Sequence, residues 1–316
     1  NAIQKIDGNI IRENSMDSKS LRFFLVIAEE ENMSKAAERL HMSQPPLSRQ
    51  LKLLEEEVGT ELFERGHGRL RLTAAGIYLK EQAYEILSLL DKTKQHLQTE
   101  FREDEGDITI GTIETVGINI LPKWIADYHE KKPKVTYHVI NGNTDNIMDQ
   151  VVKGIYDIGI VREPFNSEPF ECIRLPEEPW IAVLPKEYPI ATLGKNIDLA
   201  ELSRSPLILP TRAIHEEQIR RWFEMIGSKP EVVCFYSSLS SGIALVKNNV
   251  GLLLCPESAS SFIGDSGLMV KKITNPALSS RSVIITRKYV TKAPAVRSFL
   301  KMIKEQLPEQ DDIENE

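Results

Sequence analysis

The sequence has few cysteines, no long apolar run and no excess of positive charge. Its three cysteines are scattered over 316 residues, a pattern typical of a reducing compartment rather than of a disulfide framework. The net charge of -7 argues against a protein that coats nucleic acid regardless of sequence. The longest apolar runs, such as residues 23–28, are too short to cross a bilayer, and no secretory signal pattern is visible. We therefore expect a cytoplasmic protein with no membrane partner.

Motifs of enzymes and of metal proteins are also missing. There is no Walker loop, no dinucleotide glycine fingerprint, no His-Glu-x-x-His metal motif and no Gly-x-Ser-x-Gly nucleophile elbow. The six histidines show no ligand spacing, so we expect them at the surface or at helix ends. These absences predict a protein that is not an enzyme and has no catalytic residues, no metal site and no cofactor.

Residues 32–51 predict two short helices joined by a tight turn. We expect Ser34 to cap the first and Ser43 to cap the second, with Pro45 and Pro46 in the first turn of the second helix. Apolar residues of the second helix recur every three or four positions, which predicts one buried face. That face consists of Leu47, Leu51, Leu54 and Val58. The opposite face carries small, amide and basic side chains, which suit a DNA major groove. An ordinary helical hairpin is the alternative.

A glycine-rich tip between two short extended segments follows at residues 62–73 and predicts a β-hairpin wing. Arg65, Arg69 and Arg71 crowd this wing with positive charge, so we expect it to contact phosphate or the minor groove. A solvated turn is the alternative. The predicted DNA-binding residues of the helix pair and the wing are Ser34, Gln44, Pro45, Ser48, Arg49, Lys52, Arg65 and Arg69.

A long helix, capped by Thr73, is predicted from residue 73 to about residue 101. A heptad-like stripe runs along it. Its members are Ala83, Leu87, Leu90, Lys94, Leu97 and Phe101. Such a stripe needs a partner, and we favour a second copy of the chain over packing within one chain, because a two-fold dimer would place two reading heads on an inverted-repeat site.

From residue 107 onward, short apolar strands alternate with helices, which indicates an α/β domain. A first series of these units ends near residue 184 and a second follows. A return of the chain to the first series near residue 284 would give two lobes, 107–184 with 284–308 and 185–283. A cleft between two such lobes is the natural site for a small molecule.

Polar residues stand at several strand-to-helix junctions of this domain. Hydroxyls and free backbone N–H groups at converging helix starts favour an anion, and an arginine at such a junction can pair with its acid group. The predicted effector-binding residues are Thr115, Asn143, Thr144, Arg162, Thr211, Arg212 and Ser238. Simple helix capping is the alternative role for any single one of them.

The run from Asn32 to Gly76 closely resembles the winged helix-turn-helix of LysR-type transcriptional regulators. The matching text is Asn32-Met33-Ser34-x-Ala36-Ala37-x-x-Leu40, Ser43-Gln44-Pro45-x-Leu47-Ser48-x-Gln50-Leu51, Leu54-Glu55, Gly59-Thr60-x-Leu62-Phe63-x-Arg65 and Leu72-Thr73-x-Ala75-Gly76. The second half is similar to the family's effector domain at residues 156–160 and 250–256. The chain departs from the family pattern at Pro46, where a small residue is common, and at Cys255, where an apolar residue is usual.

The resemblance implies an α+β multidomain fold with an N-terminal winged helix-turn-helix, a long linker helix and a C-terminal α/β two-lobed periplasmic-binding-protein-like effector domain. We place these at 16–72, 73–101 and 107–308, with a hinge at 102–106, a tag or disordered leader at 1–15 and a disordered acidic tail at 309–316. It also implies a cytoplasmic regulator that binds double-stranded promoter DNA as a homodimer or homotetramer. A small effector would alter DNA binding or bending, and RNA polymerase is a candidate partner.

Two alternatives to this function remain. One is a small-molecule-binding or enzymatic α/β protein without specific DNA binding. The other is a regulator controlled by a protein partner or by redox state, for example through Cys234 and Cys255, although both lie in apolar strand-like runs where inert burial is common.

Overall fold

The computed structural model of the chain describes residues 16–66, 69–99, 105–192, 194–264 and 267–308. It divides into two compact units, Asn1–Leu97 and Gln98–Glu316. The predicted leader, the predicted acidic tail and residues 102–104 of the predicted hinge lie outside the described residues.

The first unit contains four helices and one hairpin among its described residues. Their bounds are α1 Ser18–Glu30, α2 Met33–Arg39, α3 Gln44–Val58, β1 Phe63–Gly66, β2 Arg69–Leu72 and α4 Ala74–Thr99. The predicted helix pair is thus confirmed as α2 and α3. The predicted wing is confirmed as an antiparallel hairpin in which Phe63 pairs with Leu72.

The core of this unit lies between α1, α3 and the wing. Leu47, Leu51 and Leu54 of α3 are buried as predicted. They pack with Phe24 of α1, whose ring centroid lies 5.5 Å from that of Phe63 on the wing. The three-four spacing of leucines therefore decides which face of α3 turns inward, and the remaining face is left for solvent or a partner.

The predicted cap of α2 is wrong by two residues. The Asn32 side chain, and not that of Ser34, accepts hydrogen bonds from the backbone N–H groups of Ser34 and Lys35, at 3.0 and 3.1 Å. Ser43 does precede α3, but its side chain makes no capping bond. Asparagine caps a helix as well as serine does, so the sequence pattern alone did not separate the two positions.

Replacement of this cap is a direct test of the assignment. We expect Asn32→Ala to lower the free energy of unfolding of the first unit by about 0.5–2 kcal/mol, because two backbone donors lose their acceptor. Native-state hydrogen exchange of the α1–α3 amides measures the change. We expect the control Ser34→Ala to cost less than about 0.5 kcal/mol, since that side chain is exposed. Equal losses in the two variants would contradict the assignment.

Backbone N–H groups of the wing and of the residue before it donate hydrogen bonds to α3 and to the residue that ends α1. The Glu55 carboxylate accepts from the N–H of Leu62 at 2.8 Å, and Leu70 N–H donates to the carbonyl of Glu31 at 2.9 Å. Thr73 Oγ1 accepts from Gly76 N–H at 3.0 Å and so caps α4, as predicted. These bonds place the wing beside α3 within one compact unit.

The predicted stripe along α4 divides between two environments. Ala83 and Leu87 are buried in the core of the first unit, whereas Leu97 is 67% exposed. The first half of the stripe therefore packs against its own chain, which was the alternative to self-association. Other apolar side chains of α4 are left exposed, and these are Ile77, Tyr78, Tyr84, Ile86 and Leu89.

The second unit alternates strands with helices, as predicted. Its helices are α5 Glu114–Asn119, α6 Leu121–Lys131, α7 Thr144–Val152, α8 Leu199–Leu202, α9 Ala213–Met225, α10 Leu239–Lys247 and α11 Pro294–Gln306. Its strands are β3 Glu105–Thr112, β4 Lys134–Asn141, β5 Ile158–Arg162, β6 Phe170–Pro185, β7 Asn196–Asp198, β8 Pro206–Pro210, β9 Glu231–Tyr236, β10 Leu252–Pro256, β11 Leu268–Thr274 and β12 Ser279–Arg287. The strands β7 and β11 and the first half of β6 were not predicted.

The strands form two lobes that share β6. The order of the main sheet is β4-β3-β5-β12-β6-β10-β8-β9. The first half of β6 pairs with β12 in one lobe, and its second half pairs with β10 and β11 in the other. The chain returns to the first lobe as β11 is followed by β12. Each lobe has its own apolar core, around Phe299 in the first and around Phe223 in the second.

Candidate functional site

The start of α3 presents a polar, solvent-facing surface. Gln44, Pro45 and Arg49 are exposed, and Ser48 is half-buried between them and the leucine face. Ser34 Oγ, on α2, donates a hydrogen bond to Gln44 Oε1 at 3.2 Å, which holds the Gln44 amide in place. Five of the predicted DNA-binding residues, Ser34, Gln44, Pro45, Ser48 and Arg49, are thus brought together on one surface.

The other predicted DNA-binding residues are placed less closely. Lys52 lies one turn further along α3 and pairs with Glu56 at 3.4 Å. Arg65 lies on β1 and Arg69 on β2, so both belong to the wing, but their side chains are outside the described part of the chain. Arg71 of β2 is exposed. The basic residues therefore stand on two neighbouring elements of one unit.

A cavity of 540 Å³ lies between the two lobes of the second unit. It opens where the parallel strands β3, β5, β8 and β9 end and the helices α5, α7, α9 and α10 begin. In open α/β sheets this edge is where ligands bind. All seven predicted effector-binding residues line it, namely Thr115, Asn143, Thr144, Arg162, Thr211, Arg212 and Ser238.

Arg162 lies at the base of this cavity and bonds to three side chains there. Its guanidinium pairs with Glu178 at 2.8 Å and donates to Ser280 Oγ at 2.7 Å and to Thr115 Oγ1 at 3.1 Å. The arginine side chain is only 8% exposed and that of Glu178 only 19%. Glu178 in turn accepts from the backbone N–H of Ser258 at 2.7 Å. This charge is therefore already compensated by the protein.

The positive charge of Arg212 is also compensated within the protein, by a carboxylate of the opposite lobe. Its guanidinium makes two bonds to the Asp145 carboxylate, at 2.9 and 3.2 Å, and also donates to the carbonyl oxygens of Arg162 and Pro164. The hydrogen bond from Arg212 lowers the pKa of the Asp145 carboxyl below its ordinary value. Both arginines that we predicted to pair with an effector are therefore already paired with carboxylates of the protein.

Glu114 is a cavity residue that we did not predict as a ligand. Its carboxylate reaches from α5 in the first lobe to the amino terminus of α10 in the second. There it accepts from Leu239 N–H at 3.0 Å, from Ser240 Oγ at 3.2 Å and from Ser238 Oγ at 3.5 Å. A glutamate in the first turn of a helix commonly serves that helix, so its sequence position gave no signal of this long-range bond.

His215 is buried in the cavity wall, where the sequence predicted a surface or capping histidine. Burial, together with the charges of Arg212 and Arg162, lowers the pKa of its imidazole to about 4. The ring is therefore neutral near pH 7. Its Nε2 lies 3.4 Å from Nη1 of Arg212, and because arginine only donates, Nε2 is the acceptor.

Trp180 and Tyr236 add an aromatic part to the cavity wall. Tyr236 donates its hydroxyl to the carbonyl of Leu254 at 3.2 Å, and burial raises the pKa of this phenol well above its ordinary value. The indole N–H of Trp180 is buried and has no hydrogen-bond partner among the residues that the structure describes. The cavity thus combines polar helix starts with an aromatic wall.

The cysteines occupy three different environments. Cys255 is fully buried, and its burial raises the pKa of the thiol. Cys234 is half-buried. Cys172 is exposed. None of the three forms a disulfide.

The described residues contain neither a membrane-spanning helix nor a cluster of metal ligands. No described helix is long and apolar enough to cross a membrane. No group of three or more His, Cys, Asp or Glu side chains in the described ranges is arranged to hold a metal ion. The helix pair with its wing and the inter-lobe cavity are therefore the two candidate functional sites.

Both units match known protein families. The profile described as "Bacterial regulatory helix-turn-helix protein, lysR family" matches residues 18–77. The profile described as "LysR substrate binding domain" matches residues 101–308. Together they cover the winged helix pair and both lobes.

Individual relatives agree over almost the whole length. The Hca operon transcriptional activator HcaR of Escherichia coli is 28% identical over 92% of this chain and 98% of its own. The regulator AlsR of Bacillus subtilis is also 28% identical, over 86% of this chain and 91% of its own. The crystal structure of full-length CbnR complexed with its target DNA has the same fold, with a TM-score of 0.77 at 24% identity over 92% of this chain and 99% of that one.

Proposed function

We propose that this chain, which belongs to the LysR family of transcriptional regulators, divides its function between two sites. The chain is a DNA-binding transcription regulator with a helix-turn-helix domain and an effector-binding domain. In our proposal α3 and the wing read promoter DNA. A small acidic effector in the inter-lobe cavity changes how that DNA is bound or bent.

The exposed start of α3 carries the first part of this proposal. Gln44, Ser48 and Arg49 would enter the major groove, with Pro45 beside them and Ser34 holding the Gln44 amide. Arg49 is exposed and has no ion-pair partner among the described side chains, so its guanidinium is free for a base or phosphate. Lys52 and the wing residues Arg65 and Arg69 would contact the phosphate backbone or the minor groove.

Self-association through α4 is the second part. The exposed apolar side chains Ile77, Ile86 and Leu89 would be buried by a second copy of α4, and a two-fold dimer would present two reading helices to one inverted-repeat site. Analytical ultracentrifugation tests it, and a monomer at micromolar concentration would exclude it. Further assembly to a tetramer, contact with RNA polymerase and location in the cytoplasm belong to the same proposal.

An acidic effector is the third part. The cavity is lined by the start of α10, the hydroxyls of Thr115 and Thr144 and two arginines, which are the kinds of group that bind an acid once a carboxylate of the protein has left them. Because both arginines are already paired, the acid group of an effector has to exchange with a carboxylate of the protein itself. The free indole N–H of Trp180 would suit a hydrogen-bond acceptor on the same effector.

Binding of the purified chain to its own upstream promoter fragment tests the function. We expect a clear preference over a scrambled fragment of equal length at physiological salt, because base contacts by α3 add to the phosphate contacts. The absence of any preference would refute the proposal. Turnover or tight ligand binding without DNA affinity would instead favour a small-molecule-binding or enzymatic protein.

Control by redox state is separable from control by an effector. Cys255 is fully buried and burial raises the pKa of its thiol, which favours an inert thiol at that position. Replacement of all three cysteines by serine is expected to leave the DNA-binding response to an oxidant unchanged. A response that is lost with the cysteines would support the redox alternative.

A further inference from the structure

The charges around the inter-lobe cavity do not favour an added anion. Two guanidinium groups, of Arg162 and Arg212, meet three carboxylates, of Glu178, Asp145 and Glu114. The formal sum of two positive and three negative charges is -1. His215 does not change this sum, because its imidazole has a pKa of about 4 and is neutral near pH 7. An effector carboxylate would therefore meet net repulsion unless one internal carboxylate moves away.

The three carboxylates are held with different strength. Glu178 is half-buried, pairs with the buried Arg162 and also accepts from Ser258 N–H. Asp145 is 67% exposed, but both of its oxygens accept hydrogen bonds from the guanidinium of Arg212, which is only 14% exposed. Glu114 accepts only from neutral donors, one backbone N–H and two serine hydroxyls, and no lysine or arginine side chain in the described ranges contacts it. Glu114 is thus the carboxylate most easily displaced.

The position of Glu114 matches the place that an effector's acid group would take. Its oxygens lie at the amino terminus of α10, where an exposed helix dipole and backbone N–H favour negative charge. Ser238 and Ser240 present their hydroxyls to the same oxygens. A carboxylate of a bound molecule would find these same three donors.

From this geometry we propose that Glu114 determines effector specificity as a built-in competitor. Its carboxylate occupies the anion-binding start of α10, and an acidic effector binds by displacing it. This inference rests on the proposed function of the cavity. It predicts that the negative charge of Glu114 lowers the affinity of the cavity for every carboxylate, so that weakly bound acids are rejected. The affinity of the cavity for a neutral analogue should not depend on this charge.

The displacement also has a mechanical consequence. The bonds from Glu114 to Leu239 and Ser240 join α5 of the first lobe to α10 of the second. When an effector replaces Glu114, the link between the lobes passes through the effector itself. The lobes are then held by a different contact in the presence of an acid, which couples occupancy of the cavity to lobe geometry.

The test compares the full-length chain with its Glu114→Gln variant. Glutamine keeps the size of the side chain and an oxygen acceptor for Leu239 N–H, but it removes the charge. The probes are acetate, succinate and benzoate, with benzamide as the neutral match of benzoate. Quenching of tryptophan fluorescence reports binding, because Trp180 lines the cavity. Isothermal titration calorimetry provides the dissociation constants.

We expect at least one of the three acids to bind about tenfold tighter or more to Glu114→Gln than to the unaltered chain, because a like charge at the binding position is removed. Benzamide should change by less than about threefold on the same grounds. Glu168→Gln, which removes an exposed carboxylate elsewhere in the second unit, should leave all affinities unchanged.

Three results would overturn the proposal. The first is that no acid binds more tightly to Glu114→Gln than to the unaltered chain, including the case of no binding to either. The second is an equal gain for benzamide, which would indicate a steric effect. The third is a gain in Asp145→Asn but not in Glu114→Gln, which would assign the exchange to Arg212. Promoter binding by the unaltered chain is a separate measurement, so failure here leaves the proposed function standing.

Discussion

Arg49→Ala should remove most of the preference of this regulator for its promoter. A guanidinium that reads a base edge contributes about 1–3 kcal/mol of discrimination. The proposed dimer would carry two reading helices, so the expected loss is about 2–6 kcal/mol for two copies. The side chain stands exposed on α3, away from the leucine face. Its removal should therefore weaken specific binding without loosening the fold. Fluorescence anisotropy on promoter and scrambled fragments measures both affinities.

The matched control for this variant is Arg22→Ala. Arg22 lies on α1 and pairs with Asp91 at 2.8 Å, so its removal changes the net charge by the same amount at another surface. We expect this control to keep its preference for the promoter. If Arg49→Ala lowers the affinity for both fragments equally, Arg49 contacts phosphate and does not read a base. Wild-type affinities of Arg49→Ala for both fragments would remove Arg49 from the interface altogether.

Arg162→Met should destabilise the effector domain by about 3–5 kcal/mol, because breaking a buried ion pair from one side leaves the other charge without its partner. Here that charge is Glu178, which stands on β6, the strand that both lobes share. Thr115 and Ser280 would lose their donor as well. We expect earlier unfolding in urea and weaker binding of acids in the cavity.

The tryptophans make this measurement specific to the second unit. All three, Trp124, Trp180 and Trp222, lie in that unit, so their fluorescence follows its unfolding and not that of the helix-turn-helix. The double variant Arg162→Met with Glu178→Gln should recover part of the lost stability, since the unpaired charge is gone. An unchanged urea midpoint for Arg162→Met would mean that the pair contributes no net stability.

Much of the proposed DNA-reading surface could be predicted because its signals are local. The spacing of Leu47, Leu51 and Leu54 decides which face of α3 is buried, and Arg49 follows on the other face by helical geometry alone. The wing was predictable from a glycine-rich tip between two extended segments. The cap of α2 was misplaced because Asn32 and Ser34 are both good caps within two residues.

The residues that line the cavity were also predictable, although the hydrogen bonds and ion pairs that they form were not. Parallel strands end at one edge of a sheet, so polar residues that follow them meet there whatever the loops between them do. This rule was enough to bring Thr115 and Asn143 to one edge of the first lobe and Thr211 and Ser238 to one edge of the second, and both edges line the cavity. It does not say which charges will touch.

Only tertiary packing decided those contacts. Glu114 and Leu239 are 125 positions apart, and Arg212 and Asp145 are 67 apart, yet each pair lies within hydrogen-bonding distance across the two lobes. The burial of His215 and the crossing of β6 between lobes are non-local in the same way. Periodicity along a chain reports which face of one element is apolar. Electrostatic pairing depends on distances of a few ångströms between separate elements, and these exist only once the two lobes have packed together.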